Sequence, residues 1–448
     1  MKHAKKTKKK DKQKKTLNRL LILLAITLVA LAVTIYRDYQ ARPGFLEKIW
    51  IADRGADYIT VAWEKPRNVY KYVVTYNDKT ISVSGMRSEI RLTELSEGTN
   101  YKISVRADSR EREGFEALTE NTMTKRRQTI EGAESQMKFA NIPVDLKQEA
   151  LTNITYYSES TNMKVMDDKL MFTKPGKYVV TAKAEATEDY VSASKKINVE
   201  VLDTVNISPK KATPHTFYKL NKKNCELVMT ITGVKEGKTP QSFVYVDGKY
   251  VVMFSVTGNS TQRIITFGDK KTVIKPKIDM RHGNGATFAN GRYYVAKGAS
   301  TECVSFNESF DDFQLINLPY KASGIAYDEK TNMFFVSQHN RLLTYDTDFN
   351  NVSRFARIKR SAKHYAQDCG AYGGIMMHCV SGSDFQGINY IDFYDMLNKK
   401  YLGTVECNLN EVESLLVDDE GYIELLCNTP KLEDYIWKTP INMHMLCD

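Results

Sequence analysis

Cysteine is scarce and confined to the second half of the chain. Its 448 residues include seven, Cys225, Cys303, Cys369, Cys379, Cys407, Cys427 and Cys447. No C-x-x-C occurs, so the spacing of a structural zinc site is missing. G-x-S-x-G, H-E-x-x-H and Rossmann fingerprints are also missing. "GVKEGKTP" holds a Gly-Lys-Thr, but no glycine stands upstream at the P-loop spacing, and the stretch reads as a loop. Net positive charge is scarce too, once the first 19 residues are set aside. "MKHAKKTKKKDKQKKTLNR" carries nine Lys and one Arg against one Asp, which is +9 of the whole chain's +10. The body therefore lacks the basic face that nucleic-acid binding requires. With 42% hydrophobic and 10% aromatic residues, global disorder is excluded.

There is one long apolar run. "LLILLAITLVALAVTIY", Leu20 to Tyr36, is uncharged and lies between Arg19 and Arg37. As a helix it spans about 26 Å, enough for a bilayer core when the flanking arginines snorkel. "IYRDYQARPG" follows without a small-x-small cleavage pattern, which favours a signal-anchor over the rival, a cleaved signal peptide. The positive-inside rule predicts residues 1–19 in the cytoplasm, 20–36 in the membrane and the rest outside.

Residues 45–125 alternate like half-buried strands ("YITVAW", "YKYVVTY", "TISVSG", "YKISVRA") with turns between them, a β-sandwich pattern. Trp63 in "ITVAWEKP", the Y-x-V-x-Y of Tyr72, Val74 and Tyr76, and Leu95 with Tyr101 in "LSEGTNYKISVRA" resemble a fibronectin type III domain. The resemblance implies that Trp63 and Tyr72 are core and that the Tyr101 hydroxyl bonds back to a loop. Glu97 stands where the family usually has proline. Residues 126–202 open on a polar stretch. They continue with "ITYYSES", "KPGKYVVTAKA" and "INVEV", a series that resembles the bacterial Ig-like repeats. That resemblance implies a second sandwich used as a stalk.

Residues 216–448 are periodic. "QSFVYVDGKYVVMFS", "NGATFANGRYYVAKG", "SGIAYDEKTNMFFVSQ", "DCGAYGGIMMHCVSG" and "ESLLVDDEGYIELLC" recur at steps of 43, 39, 45 and 45 residues. Each is a strand–turn–strand unit, and third and fourth strands follow. Four strands every 40 to 45 residues predict a five-bladed β-propeller. The fifth blade lacks an outer strand. "FYKLNKKNCELVMTI" is a strand pair without a blade, so the ring is expected to close by using it in the last blade. That closure would bring Cys225 and Cys447 together as a possible disulfide.

In such a ring the first strand of each blade lines the axis. Gln241, Asn284, Ser323, Asp368 and Glu413 begin those strands, and His282 stands two positions before Asn284. Together they are the expected ligand-binding set at one mouth of the channel. Asp368 and Glu413 are the candidate ligands for a hard cation such as Ca²⁺; the bland reading is a water-filled polar channel. His364 could reach the same face. Gln241 cannot act as base or nucleophile, which weakens a hydrolase reading. N-glycosylation sequons stand at Asn153, Asn206, Asn259, Asn307 and Asn351.

The expectation is an all-β chain behind one transmembrane helix, with two β-sandwich domains and a propeller. Its expected role is membrane-anchored extracellular recognition or adhesion, with a glycan, wall polymer or protein as ligand and no nucleic acid. The alternatives are a surface-anchored propeller enzyme of carbohydrate-active or lactonase/lyase type, and a structural envelope component.

Overall fold

The computed structural model describes residues 2–166, 169–231, 238–256, 262–361, 363–382, 387–430 and 433–447. Asn259 and most of the Gly-Lys-Thr loop lie outside these residues. The fold is almost entirely β, behind one long N-terminal helix, α1 (Lys2–Ala41). Two compact units are present. One comprises Met1–Glu131, Glu149–Thr155 and Lys183–Lys195, and the other Gly132–Gln148, Tyr156–Ala182 and Lys196–Asp448. The division runs through residues 126–202 rather than around them.

In the first unit, the leucines and isoleucines of the apolar run stay exposed on α1, Leu23 at 66%. Water does not tolerate such a stripe, whereas a bilayer requires it. The polar groups inside the run are satisfied locally. Thr27 Oγ1 donates to Leu23 O at 2.5 Å and Thr34 Oγ1 to Ala30 O at 2.8 Å. After α1 come two sheets, one of Ile49–Arg54, Ile59–Trp63 and Glu89–Leu92, the other of Lys79–Ser84, Lys71–Tyr76, Asn100–Asp108 and Leu118–Met123. Alternation puts Val61, Trp63, Tyr72, Val74, Ile103 and Val105 between them. Trp63 and Tyr72 pack ring to ring at 4.8 Å. The Tyr101 hydroxyl accepts from Ser96 N at 2.9 Å, the loop bond the resemblance implies, and Glu97 in place of proline does not disturb it.

In the second unit, the end of strand Ala193–Leu202 runs parallel to Ser135–Phe139, with Asn198 opposite Ser135 and Leu202 opposite Phe139. This strand pair is not a free spacer. Phe139 and Leu202 end inside the core of the last two blades, and Phe139 meets Phe217 at 5.7 Å and Phe393 at 6.1 Å.

Five blades follow. Their innermost strands are Lys238–Val246, Gly285–Ala289, Gly324–Asp328, His364–Tyr372 and Glu411–Val417. Each touches the next, and the fifth touches the first, which closes the ring. The expected closure is half of what occurs. Glu226–Ile231 is the outer strand of blade 5, antiparallel to Asp434–Asn442. Thr216–Asn221, however, joins blade 4 as a fifth strand, parallel to Lys400–Asn408. The chain thus crosses between two neighbouring outer edges and covers both. "KYLGTVECN" could have signalled this. It is buried on both faces, unlike the half-exposed outer strands of blades 2 and 3.

The Cys225–Cys447 disulfide is not formed, and none of the seven cysteines is in a disulfide. Cys447 lies against Gly373, just past the innermost strand of blade 4. Cys225 precedes the outermost strand of blade 5. Three strand spacings of about 4.8 Å separate the two edges of a blade, about 14 Å and well beyond disulfide reach.

Candidate functional site at the propeller axis

The expected ring residues occupy the upper end of the inner strands, and three of them sit in β-bulges. Pairing slips between Pro240 and Ser242, between Ala366 and Cys369, and between Val412 and Ser414, leaving Gln241, Asp368 and Glu413 out of the ladder. A bulge re-aims a side chain, and here each sends a polar group into the protein.

Asp368 is fully buried. Ser414 Oγ donates to its Oδ2 at 2.6 Å, Ile325 N to its Oδ1 at 3.3 Å, and the Ala286 N–H bonds to the carboxyl as well. One side chain of blade 4 therefore fastens blades 2, 3 and 5. Burial pushes its pKa well above the usual carboxylate range, against the pull of these donors. No room remains beside it. A Cβ on Gly324 would stand 2.6 Å from the Asp368 Cα, and one on Gly285 would strike Asp368 Oδ1.

Around this neck, Asn284 Nδ2 donates to Gln367 Oε1 at 3.3 Å, and Gln367 Nε2 to Ser381 Oγ at 3.0 Å. Asn428 Nδ2 donates to Glu413 Oε1 at 2.9 Å. Burial, then the charge of Glu411, raises the Glu413 pKa well above its ordinary value. The Gln241 Oε1 is buried without a hydrogen-bond partner. Ser323 donates its N–H to Ser337 O at 2.8 Å. His282 is exposed and flanks Gly298 together with Asn284. His364 stands apart, its Nδ1 2.7 Å from Ser361 Oγ and its ring 5.2 Å from Tyr390. Asp368 and Glu413 are thus spent on protein donors. Among the described residues no three His, Cys, Asp or Glu side chains are grouped to hold a metal.

The opposite end of the same strands opens into a cavity of about 860 Å³. All five blades line it, through Tyr245 and Asp247, Phe288, Tyr327 to Lys330, Tyr372, and Val417 to Asp419. His444, from the short C-terminal helix α2 (Met443–Cys447), closes one side, its ring 4.8 Å from Tyr372. Two of the carboxylates are structural. Asp328 Oδ2 accepts from Thr331 Oγ1 at 2.7 Å and Gly374 N at 2.9 Å, and Asp418 pairs with Lys438 at 2.7 Å. Asp247, Glu329 and Asp419 are exposed and have no partner among the described residues. Tyr327 is held in place by its hydroxyl, which donates to Asn332 Oδ1 at 2.6 Å, and by its N–H on Thr287 Oγ1 at 3.0 Å. Free carboxylates can accept hydrogen bonds from a ligand's hydroxyls, and the oriented rings beside them can stack on its apolar faces. The sequence signal for this end lies in the turns after four of the five inner strands, "VYVDG", "AYDEK", "AYGG" and "VDDEG", which read simply as turn chemistry.

Residues 47–122 match the family model of the fibronectin type III domain. None of the curated proteins compared matches this chain. Among solved structures, the chain is similar to the fn3 domain of human collagen alpha-1(XX) chain, at 27% identity over 18% of this chain and 83% of that one, with a TM-score of 0.17. It is also similar to Myxococcus xanthus glutaminyl cyclase, at 10% identity over 49% of this chain and 96% of that one, with a TM-score of 0.37. The Neurospora crassa Pan2 WD40 domain aligns at 12% identity over 46% and 76%, with a TM-score of 0.31. The class defined by fold and family match is an all-β chain with a fibronectin type III domain and a closed five-bladed propeller, behind one helix apolar enough to cross a membrane.

Proposed function

We propose that this is a membrane-anchored recognition protein whose propeller takes an extracellular ligand into its lower axial cavity. In this reading residues 1–19 are cytoplasmic and 20–36 cross the membrane. Residues 45–125 and 126–202 are sandwich modules, and 216–448 carry the binding platform. The observation that carries the proposal is the cavity of about 860 Å³, to which every blade contributes. Ligand sites are concave, few per protein, and lined by rings with a small number of placed polar groups. Rings at Tyr245, Phe288, Tyr327 and Tyr372 beside free carboxylates at Asp247, Glu329 and Asp419 suit a hydroxyl-rich ligand. A glycan or wall polymer has that chemistry, and a protein loop is the other candidate.

The test is a screen of the full chain in nanodiscs against glycan and wall-polymer arrays, with calcium and with EDTA. The proposal expects a polyhydroxylated hit that weakens about fivefold to tenfold in Tyr327→Ala. A hit that Tyr327→Ala and Asp419→Asn leave untouched would remove the cavity from the account. Loss of binding in EDTA would place a cation on the exposed carboxylates of the cavity, Asp247, Glu329 and Asp419.

A further inference from the structure

The end of α1 is built into the fibronectin type III domain rather than linked to it. Asn68 Nδ2 donates to the carbonyls of Gln40, Ala41 and Arg42 at 3.0, 3.3 and 3.2 Å, which caps the helix. Ser109 Oγ donates to Ala41 O at 2.6 Å. Arg112 Nε and Arg42 Nε both reach Asp38, at 3.2 and 3.0 Å, and Phe45 stacks on Phe115 at 3.9 Å. Helical rise puts Ala41 only about 7.5 Å beyond Tyr36, the last residue of the apolar run. The headgroup layer on each side of a bilayer core is of similar thickness.

The domain edge that meets the helix therefore sits at headgroup depth, and one loop reaches lower. A groove beside α1 is lined by Thr34, Ile35, Arg37, Asp38, Glu111 and Arg112, so the loop after Asn100–Asp108 descends to the level of the apolar run itself. The side chains at this edge fit that depth. Tyr36, Tyr39, Phe45 and Tyr70 are exposed aromatics. Arg67 lies over the Tyr39 ring at 4.8 Å and Arg110 over Tyr70 at 5.3 Å. Arg37 is exposed and has no partner among the described residues. Inside the groove Asp38 and Glu111 balance Arg37 and Arg112, and around it Arg42, Arg67 and Arg110 outnumber Glu113, which pairs with Arg106 at 3.4 Å. Exposed aromatics at an interface sit among headgroups, and arginines there attract phosphate.

We infer that this collar is a binding site for anionic phospholipid headgroups, which enter the groove between α1 and the loop at residues 109–114 and dock the domain on the bilayer. The inference rests on the anchor reading above. The whole chain is reconstituted in nanodiscs of phosphatidylcholine alone and of phosphatidylcholine with phosphatidylglycerol, and backbone hydrogen exchange of residues 108–114 is followed. Exchange is expected to slow about tenfold when phosphatidylglycerol is present, and Arg37→Gln with Arg110→Gln abolishes the difference. Among the described residues neither arginine holds an ion pair, and Arg110 contributes only an exposed contact with Tyr70, so this variant spares the fold. Asp38→Asn, which breaks the ion pairs but keeps every cation, retains the lipid effect. Equal exchange in the two lipids overturns the inference, as does loss of the effect in Asp38→Asn. Failure of the chain to enter nanodiscs overturns the anchor reading instead.

Discussion

The two ends of the inner strands put polar residues to opposite uses. At the upper end they are buried, bulged out of the ladder and bonded to neighbouring blades, and at Asp368 the axis closes to the point that Gly285 and Gly324 cannot carry a Cβ. At the lower end the strands run into turns whose side chains fan out, leaving about 860 Å³ open between them. A polar residue on a propeller axis is thus a fastener where strands crowd and a potential ligand contact where they splay. Its chemistry alone does not distinguish the two; depth along the strand does.

The largest contrast is expected between the two carboxylates Asp368 and Asp419. Asp368→Ala leaves the Ser414 hydroxyl and the Ile325 and Ala286 amides aimed at nothing and is expected to cost about 4 kcal/mol. Asp419→Ala at the open end should stay within about 0.5 kcal/mol of wild type. Denaturant unfolding reads both, and equal losses would erase the distinction. Next in size is Gly324→Ala, whose new methyl meets the Asp368 backbone. A loss of about 3 kcal/mol is expected by the same measurement.

A third prediction uses pH. Glu424 is buried against Tyr250, whose hydroxyl donates to both carboxylate oxygens at 3.0 and 2.9 Å. Burial, the largest cause, raises its pKa from 4.5 to about 7. A carboxyl with a raised folded-state pKa binds its proton more tightly in the folded protein. Its contribution is therefore present at low pH and lost as pH rises through that window. Stability should fall by up to about 3 kcal/mol between pH 4.5 and 7, and Glu424→Gln should flatten that part of the profile. Tyr101→Phe, the smallest, removes the hydroxyl that accepts from Ser96 N and should cost about 1 kcal/mol with the sandwich intact.

Much of the fold was legible because it is periodic. The repeated strand–turn–strand units define the five inner strands, and the missing outer strand of blade 5 pointed to Glu226–Ile231. Trp63 and Tyr101 carried enough local pattern to be placed in the sandwich. What stayed hidden depends on pairing that no local pattern encodes. The parallel attachment of Thr216–Asn221 to blade 4 is a long-range choice, and so is the burial of Phe139 and Leu202 in the propeller core. Bulges at Gln241, Asp368 and Glu413 turned the expected mouth inward. The lower cavity was overlooked because Asp247, Tyr327, Tyr372 and Asp419 lie in or beside turns, where Gly and Asp already have a backbone explanation.

The most direct test of the central claim is a matched set of binding measurements on the array-selected ligand, with each variant's unfolding midpoint recorded alongside. Tyr327→Ala, Tyr372→Ala and Asp419→Asn represent the lower cavity, and His282→Ala and Asn284→Ala the upper mouth. Affinity is expected to fall in the first group by more than its midpoint shifts explain and to hold in the second. Loss confined to His282→Ala and Asn284→Ala would contradict it and move the site to the other end of the ring.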